Sequence, residues 1–389
     1  MHVFVIPSWY PTKENPIRGV FFKEQSHALQ KEGVEVTVLH SDLFSIKKIR
    51  NKSLHKGTNK IIYNDEDGLP TYRYDSFNFL PRIPYFQLIK HSKQIRKAYD
   101  EAVKKHGKPD VIHAHSCIWG GIVASKIAEK ENIPLVITEH STAFSRGLIR
   151  KYQKPMIKSA LNKAKEIIAV GPGLKKELSH YIDENKIKII PNIVNTELFK
   201  PNTTPNKEKE YFTFFSVGLL THKKGMDLLI IAFANAFDEK ENVRLRIGGD
   251  GEELNNLKNL AKQLKVDHKI SFLGRLDRNQ VVDEMQNCDV FALASRHETF
   301  GVVYIEALAC GKPILATKSG GPDFIVNEEN GLLSNVGDIN ELEGHFKRMY
   351  SNYPYYSSDK IRENCINNYS GHVVAKNILA IYSSIGKVN

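Results

Sequence analysis

Two glutamates separated by seven residues, Glu298 and Glu306, are the residues of this sequence that most clearly suggest chemistry. Gly301 lies between them, directly before an apolar run. A carboxylate accepts hydrogen bonds from paired hydroxyl groups, such as those of a ribose or a hexose. A helix beginning at Gly301 would offer unpaired amides and a positive dipole end to a phosphate. The pattern favours a ligand with both groups, although two solvated glutamates are equally consistent with the residues alone.

The neighbouring elements determine where this pair points. An apolar strand at 289–294 precedes it, and helical periodicity runs from Val302 to Ala309, with Gly311 placed to end the helix and Pro313 to open the next strand. Ligands of open parallel sheets bind outside the carboxyl ends of the strands. A glutamate in the loop and another about a turn and a half into the helix can therefore face one ligand from two sides.

Strand-length apolar runs alternate with helical patterns in both halves of the chain, which is typical of parallel sheets covered by helices on both faces. The first series has predicted strands at 3–7, 35–39, 110–114, 135–138, 167–170 and 188–190, and helices at 20–31 and 121–131. The second has strands at 212–217, 244–247, 270–273, 290–294 and 314–316. We therefore predict an α/β protein with two Rossmann-like domains.

The domain boundary is expected near residue 200. The segment 200–210 is polar, contains two prolines and has no apolar period, so it is interpreted as a connection. A helical tail after a completed sheet usually packs back across a neighbouring lobe. The predicted ranges are 1–198 for an N-terminal Rossmann-like domain, 199–365 for a C-terminal Rossmann-like domain, and 366–389 for a helix packing back on the first domain.

The segment from Glu298 to Glu306, with Phe300-Gly301 inside it and Ala307 to Pro313 after it, resembles the E-x7-E motif of retaining GT-B glycosyltransferases, especially family 4. The similarity covers nearly the whole chain, including 217–229 as the phosphate-binding strand and loop, 248–251 as the next loop, 272–275 as the strand near the base, and the pair Gly320-Gly321. The resemblance implies a GT-B fold, in which two parallel sheets face each other across a cleft.

The resemblance also implies roles for individual residues. Glu306 would bind the ribose and Glu298 the donor sugar, while Lys224 would neutralise phosphate charge. The diphosphate would be held by the amides of Gly301, Val302 and Val303. Further donor-binding residues implied are Gly218, Lys223, Gly249, Arg275 and Phe300. Glu298, Lys224 and His140 are the expected catalytic residues.

No metal or other cofactor is expected. A departing nucleoside diphosphate gathers negative charge that fixed donors or a metal must stabilise. A lysine and a helix end can replace the metal. The sequence departs from the family pattern at Leu219, where the family usually has an arginine after the strand glycine, so one phosphate contact is missing.

Three residues of the first half are candidates for the acceptor side. Gly19 matches a family glycine in the loop that joins the first strand to its helix. His140 follows a strand and occupies a position similar to that of the family's cleft histidine, although a buried structural histidine is an alternative. His113 and His115 share a strand face and superficially suggest a metal pair, but an acceptor-pocket or packing role is preferred because no third ligand is evident nearby.

Two other motifs carry weaker hypotheses. Asp65-Glu-Asp67 formally matches the D-x-D of metal-dependent glycosyltransferases, but its position between 61–63 and 71–74 is typical of a hairpin turn. Aromatic residues crowd a predicted irregular stretch that could meet lipid, a sugar acceptor or the core, namely Tyr72, Tyr74, Phe77, Phe79, Tyr85 and Phe86, together with Arg73 and Arg82.

Composition limits the remaining classes. The chain has 389 residues, 41% hydrophobic, and carries a formal net charge of +11. Positive charge favours an anionic substrate or peripheral contact with an anionic membrane, while ordinary solubility is the alternative. Without an RNA-binding signature no nucleic-acid partner is expected. Four scattered cysteines and the lack of a signal peptide or a long apolar segment favour a cytoplasmic protein.

The predicted function is retaining transfer of a sugar from a nucleotide diphosphate sugar to a hydroxyl of a glycan or lipid-linked acceptor, in the assembly of cell-surface polysaccharide. A sugar phosphorylase or a nucleotide-sugar epimerase of the same fold is one alternative. A nucleotide-sugar-binding protein without turnover is another, and the Leu219 departure makes it conceivable.

Overall fold

The computed structural model describes residues 1–12, 15, 17–45, 58–80, 83–202 and 210–385. The chain divides into two compact units. Unit 1 comprises Met1–Val170, Leu174–Pro191 and Val374–Asn389, and unit 2 comprises Gly171–Gly173 and Asn192–Val373. The predicted connection at 200–210 lies mostly outside the described residues.

Unit 1 is built on an eight-stranded sheet with the order β10-β9-β8-β7-β1-β2-β5-β4, beside a two-stranded sheet of β3 and β6. All neighbours in the large sheet are parallel except β4 and β5, which are antiparallel. The strands are β1 His2–Pro7, β2 Glu35–His40, β3 Leu43–Ser45, β4 Ile62–Asp65, β5 Pro70–Arg73, β6 Ser76–Asn78, β7 Val111–His115, β8 Leu135–Glu139, β9 Glu166–Ala169 and β10 Ile187–Ile189.

Helices connect these strands, as the alternating pattern predicts. They are α1 Val20–Lys31, α2 Pro84–His106, α3 Ile122–Glu131, α4 Gln153–Lys163 and α5 Pro172–Ser179, and the last helix of the chain, α13 Gly371–Ile385, groups with this unit from Val374 onward. The central strands β1, β7 and β8 are almost wholly buried, because helices on both faces exclude water from an apolar parallel sheet.

The prediction that the aromatic stretch is irregular is wrong, because most of it forms strands and a helix. Tyr72 lies in β5 and Phe77 in β6, and both are buried, whereas Tyr85 opens the long helix α2. Pro84 fits at the start of α2 because the first amides of a helix have no intrahelical acceptor. The predicted hairpin around Asp65-Glu-Asp67 is confirmed by the antiparallel pairing of β4 with β5.

Unit 2 has a parallel six-stranded sheet with the order β13-β12-β11-β14-β15-β16. Its strands are β11 Phe212–Val217, β12 Val243–Gly248, β13 Ile270–Gly274, β14 Val290–Leu293, β15 Ile314–Thr317 and β16 Gly331–Ser334. Its helices are α6 Met226–Ala236, α7 Leu254–Gln263, α8 Arg278–Asn287, α9 Val302–Ala309, α10 Pro322–Ile325, α11 Ile339–Asn352 and α12 Ser358–Tyr369.

An aromatic cluster stabilises one face of this second sheet. Phe214 of β11 packs edge-on against Phe346 of α11 at 4.8 Å between ring centroids, and Phe233 and Phe237 complete the group. Edge-to-face packing of this kind adds to the stabilisation that burial of the rings provides. It fixes β11, and therefore the loop that follows it.

The ends of unit 2 differ from the predicted ranges. Residues 192–198 and 366–373 group with unit 2, and only the chain from Val374 onward groups with unit 1. The reason is pairing between these segments. Val194 forms a bridge with Ser370, and the Arg362 guanidinium donates hydrogen bonds to the carbonyl oxygens of Thr196 and Phe199. Within the described ranges, none of the helices is both long and apolar enough to cross a bilayer.

Candidate active site

Gly301 shapes the start of α9, at the carboxyl end of β14. It is the N-cap residue of the helix, with φ 85° and ψ 75°. A Cβ atom at this position would lie 2.4 Å from the ring of Tyr304 and 3.1 Å from Cγ of Glu298. Both the left-handed backbone and this close packing require glycine. The chain can therefore turn from the Glu298 loop directly into the helix.

The first turn of α9 lies where the sequence predicts a phosphate-binding helix end. Val302 and Val303 are half-buried and open the helix, and their amides precede the first intrahelical hydrogen bonds. Phe300 is buried and its ring packs against Tyr369 at 6.0 Å. Packing of Phe300 thus fixes the start of α9 against the core. The free amides of Val302 and Val303 can bind an anion.

The paired glycines brace the backbone of Glu298. The Gly321 amide donates to the Glu298 carbonyl oxygen at 2.8 Å, and the Glu298 amide donates to the Ser319 carbonyl oxygen at 2.9 Å. A Cβ atom on Gly320, at φ 114°, would lie 2.6 Å from that same Glu298 oxygen. The segment 319–321 therefore holds the Glu298 loop in place.

Lys224 and Glu298 form an ion pair. Their Nζ and Oε2 atoms lie 2.6 Å apart, and the side chains are only 18% and 9% exposed. Burial alone would raise the pKa of Glu298, but the ammonium groups of Lys224 and Lys223 outweigh it and hold that pKa below its ordinary value. Glu298 is therefore ionised at neutral pH.

Lys224 lies in the short turn between β11 and α6, next to the glycines that follow β11 and β12. Its side chain passes Gly218, because a Cβ atom there would contact Lys224 Cε at 3.6 Å. Gly249 approaches Gly218 so closely that a Cβ atom would lie 1.9 Å from the Gly218 carbonyl oxygen. The predicted donor-site residues Gly218, Lys224, Gly249, Glu298 and Gly301 thus belong to one region at the carboxyl edge of the second sheet.

Arg296 supports this turn, and sequence reasoning missed it. Its guanidinium donates two hydrogen bonds to the Asp227 carboxylate, at 2.8 and 2.7 Å, and a third to the His222 carbonyl oxygen at 2.7 Å. The Arg296 amide donates to the carbonyl oxygen of Lys223. No local pattern predicts the arrangement, because the paired side chains are 69 residues apart.

Glu306 is almost completely buried, at 2% exposure, and its Oε1 atom lies 2.5 Å from Nη1 of Arg278. Arg278 also covers the ring of Phe199, 4.6 Å from its centroid. The predicted Arg275 is exposed directly after β13, whereas Arg278, three residues later, contacts the glutamate. Leu219, at the position where the family usually has arginine, is 65% exposed.

His140 is buried in unit 1, directly after β8. Its Nε2 atom lies 3.1 Å from Nδ1 of His115, and the rings of Phe21 and Phe22 pack against it. Glu139 fixes the backbone here, since its carboxylate accepts hydrogen bonds from the amides of Cys117, His140 and Ser141. Burial nevertheless raises the pKa of Glu139. This carboxylate was not anticipated from the sequence.

His113 has both ring nitrogens engaged. Nδ1 lies 2.6 Å from the Tyr382 hydroxyl, and Nε2 lies 2.7 Å from the Thr138 hydroxyl. Burial lowers the pKa of His113 to about 3. Of the two roles considered for this histidine, packing is favoured over the acceptor pocket because neither nitrogen is directed at an open surface.

The two remaining motifs of unit 1 have structural explanations. Gly19 is the N-cap of α1 at φ 70°, and a Cβ atom there would lie 2.8 Å from the Trp9 ring. In the D-x-D segment, Asp65 accepts a hydrogen bond from the Gly68 amide and Asp67 forms an ion pair with Lys23. Both aspartates are therefore occupied by the hairpin and its neighbour.

Family models match nearly the whole chain in two parts. Residues 19–198 match the model described as Glycosyltransferase Family 4, and residues 198–370 match the model described as Glycosyl transferases group 1. The join between the two models lies within the segment that links the two sheets.

Individual proteins show the same similarity. N-acetyl-alpha-D-glucosaminyl L-malate synthase of Bacillus anthracis is 27% identical over 82% of this chain and 81% of its own length. The putative teichuronic acid biosynthesis glycosyltransferase TuaC of Bacillus subtilis is 26% identical over 86% and 85%. The structure of Anabaena HepE with UDP and glucose has a TM-score of 0.75 at 19% identity, over 98% of this chain and 99% of HepE.

Two α/β units built on parallel sheets have the GT-B fold, and the matching family models identify the chain as a glycosyltransferase, which is a transferase enzyme. The chain belongs to glycosyltransferase family 4, and its second half is a group 1 glycosyl transferase domain.

Proposed function

We propose that this enzyme transfers a sugar from a nucleotide diphosphate sugar to a hydroxyl group of a glycan or lipid-linked acceptor, with retention of the anomeric configuration. The observation that carries the proposal is the cluster of Lys224, Glu298 and the amide end of α9 at one sheet edge. The Lys224 ammonium and the N-terminus of α9 can bind a phosphate, and the buried Glu298 carboxylate beside them can bind the sugar attached to it.

The leaving group determines the electrostatics of the reaction. The bond between the anomeric carbon and the diphosphate oxygen breaks, and the bond to the acceptor oxygen forms. Negative charge then grows on the diphosphate, where the Lys224 ammonium and the amides of Gly301, Val302 and Val303 can stabilise it. In a front-face displacement the leaving phosphate oxygen takes the acceptor proton, so no protein base is required.

Glu298 and Glu306 position the two ends of the donor in this proposal. Glu298, held by Lys224, accepts hydrogen bonds from the donor sugar hydroxyls. Glu306, held by Arg278, accepts from the ribose hydroxyls. A carboxylate has about four lone-pair sites, so a bound arginine leaves acceptor capacity for a hydroxyl pair. On the acceptor side, we propose that His140 contributes through its place at the end of β8.

The donor and acceptor classes are supported by the relatives. HepE binds UDP and glucose, and TuaC is named for teichuronic acid biosynthesis. A uridine nucleotide and a role in cell-surface polysaccharide assembly are therefore the first possibilities to test.

We propose that no metal is needed, because Lys224 and the start of α9 supply the positive potential that a cation would otherwise provide. The expected result is that transfer is unchanged after EDTA treatment and after addition of manganese. A rate that falls with EDTA and recovers with a divalent cation would contradict this part of the proposal.

The decisive experiment is a thermal-shift screen of UDP-, GDP- and ADP-sugars, since a ligand that binds only the folded state stabilises it by mass action. Glu306→Ala should remove most of the shift produced by the true donor. Glu328→Ala, which changes an exposed glutamate of the same unit, is the matched control and should leave the shift intact. An unchanged shift in Glu306→Ala would place the ribose elsewhere.

Turnover separates the proposed reaction from its alternatives. Transfer from an α-linked donor should give an α-linked product by NMR, and a β-linked product would refute retention. Donor binding with neither transfer nor hydrolysis would instead identify a nucleotide-sugar-binding protein. Isomerisation of the donor sugar while it remains on the nucleotide would identify an epimerase, and cleavage of a glycoside by inorganic phosphate to a sugar 1-phosphate would identify a phosphorylase.

A further inference from the structure

An exposed apolar patch lies on unit 1, at the start of α2 and in the segment that precedes α4. Its members are exposed by 42% to 58%, although each is a large apolar or aromatic side chain: Phe79, Leu80, Ile83, Tyr85, Ile89 and Leu148. The rings of Tyr85 and Tyr152 lie 6.3 Å apart and join the two segments. A group of this size is more than the isolated apolar residues that any surface carries.

The two segments that carry the patch contain basic residues and no acidic ones. Between Asp75 and Asp100 the sequence has five Lys or Arg residues and no acidic residue, and between Glu139 and Glu166 it has seven and none. Within the described ranges of the chain, six of the seven cations in the second segment form no ion pair with an acidic side chain, namely Arg146, Arg150, Lys151, Lys154, Lys158 and Lys165, while Lys163 pairs with Glu129. The charge of these six is therefore available to an external partner.

Helix α2 arranges the apolar and charged residues in the order that a lipid surface requires. Tyr85, Ile89, Lys93 and Lys97 follow one another at intervals of four, so the exposed stripe is apolar at its beginning and cationic further on. Lys90 extends over the Phe79 ring, with Nζ 5.1 Å from its centroid. Long basic side chains can lie along apolar groups in this way and keep their charge in the headgroup layer.

We infer that this patch is a docking surface for an anionic lipid bilayer. Apolar side chains that enter the acyl boundary, within a cationic rim that attracts acidic headgroups, are the two components of interfacial binding. A protein partner would need acidic residues around an apolar patch of its own, whereas an anionic bilayer supplies both features everywhere. The contact is peripheral, in keeping with the lack of a spanning helix in the described part of the chain.

The position of the patch near the carboxyl end of β8 bears on the choice of acceptor, an argument that rests on the proposed function. The loop that carries Leu148 begins directly after His140, at the carboxyl end of β8. A bilayer at this patch lies beside the edge of the first sheet where we place the acceptor, and favours a lipid-linked acceptor over a soluble one.

Sedimentation of the full-length protein with vesicles tests the inference without donor or acceptor, so its failure is distinct from failure of the proposed function. The protein should bind vesicles of equal parts phosphatidylcholine and phosphatidylglycerol, and should not bind phosphatidylcholine alone. Raising salt from about 0.1 M to about 1 M shortens the screening length from about 10 Å to about 3 Å and should weaken binding.

Variants separate the apolar and charged contributions. Tyr85→Glu with Ile89→Glu should lower the partition coefficient at least about tenfold, because the apolar contribution is lost. Arg150→Gln, Lys151→Gln and Lys154→Gln together should lower it by about a hundredfold, from the loss of three headgroup attractions. The control, Val336→Glu with Tyr355→Glu, adds the same charge at exposed positions of unit 2 and should bind like the wild type.

Three results of the vesicle experiments would overturn the inference. They are no binding to anionic vesicles, equal binding to neutral vesicles, and binding that the Tyr85→Glu/Ile89→Glu variant retains while its melting temperature is normal. If gel filtration shows a dimer that this variant converts to a monomer, the patch is an interface with a second copy and the bilayer assignment is wrong.

Discussion

At the scale of single residues, the Lys224–Glu298 ion pair combines stability with function. We predict that Lys224→Met lowers the free energy of unfolding by about 3 kcal/mol, because it leaves a buried carboxylate without its partner. Adding Glu298→Gln should restore most of that loss, since the amide carries no charge. Transfer should stay low in both variants, because neither has the cation.

Urea unfolding and a transfer assay on the same preparations measure the two effects. Lys258→Met, at an exposed position of α7, is the control for loss of a lysine and should change neither quantity. Recovery of transfer in the double variant would show that Lys224 acts only through stability.

A second prediction at the scale of single residues concerns a substitution at Leu219. This leucine is 65% exposed and follows Gly218, so an arginine can be introduced without disturbing the core. Leu219→Arg should tighten binding of a nucleoside diphosphate by about tenfold, the expected contribution of one hydrogen bond to a charged group. Calorimetric titration measures it, with Leu219→Gln as the uncharged control. An unchanged affinity would place the diphosphate away from this residue.

At the scale of elements, the turn into α9 depends on Gly301. Gly301→Ala places a methyl group against the Tyr304 ring and Glu298 while the backbone remains at φ 85°. We expect the helix start and the Glu298 loop to shift together, and donor affinity to fall at least about tenfold as the amides leave their positions.

Gly337→Ala is the matched control for this change. Gly337 also has a positive φ, 83°, but a Cβ atom there meets nothing within 4 Å. It should cost about 1 kcal/mol of stability from backbone strain and leave donor affinity unchanged. Equal losses of affinity in the two variants, measured by the same titration, would mean that strain and not the geometry of α9 is responsible.

At the scale of the whole molecule, we expect unit 1 to be more sensitive to acid than unit 2. Burial lowers the pKa of His91 to about 4 and of His113 to about 3, and it also lowers that of His115, which His113 and His140 depress further. All three lie in unit 1. Their folded pKa values lie below the unfolded value of about 6.5, so their contribution to stability is complete above that pH and is lost as pH falls through it.

Unit 1 should therefore lose up to about 4 kcal/mol of stability between about pH 7.5 and pH 5.5, at about 1.4 kcal/mol for each histidine. Glu139, whose pKa burial raises, acts in the opposite direction and reduces this sum. Hydrogen exchange at the two pH values measures this loss of stability. The readout is the protection factors of peptides from β7 in unit 1 and from β11 in unit 2. An equal decline in both units would contradict the assignment of acid sensitivity to these histidines.

The sequence by itself determined the features that depend on local patterns. Apolar periodicity and Gly311 predicted both ends of α9, Val302–Ala309, and the same reasoning predicted α1 at Val20–Lys31. Glu298 and Gly301 are three residues apart, so their proximity follows from the chain itself. Alternation of strands and helices was sufficient for the two-domain α/β fold, because parallel sheets with helical connections produce that pattern.

Only the tertiary structure decided which side chains meet. Glu298 pairs with Lys224 and Glu306 with Arg278 across 74 and 28 residues, and Arg275, equally plausible in sequence, is exposed. Tyr382 closes His113 into the core from the far end of the chain, while Tyr85 is left at the surface. Such contacts depend on strand order, register and rotamers, which are set by packing among distant segments and leave no periodic trace in the sequence.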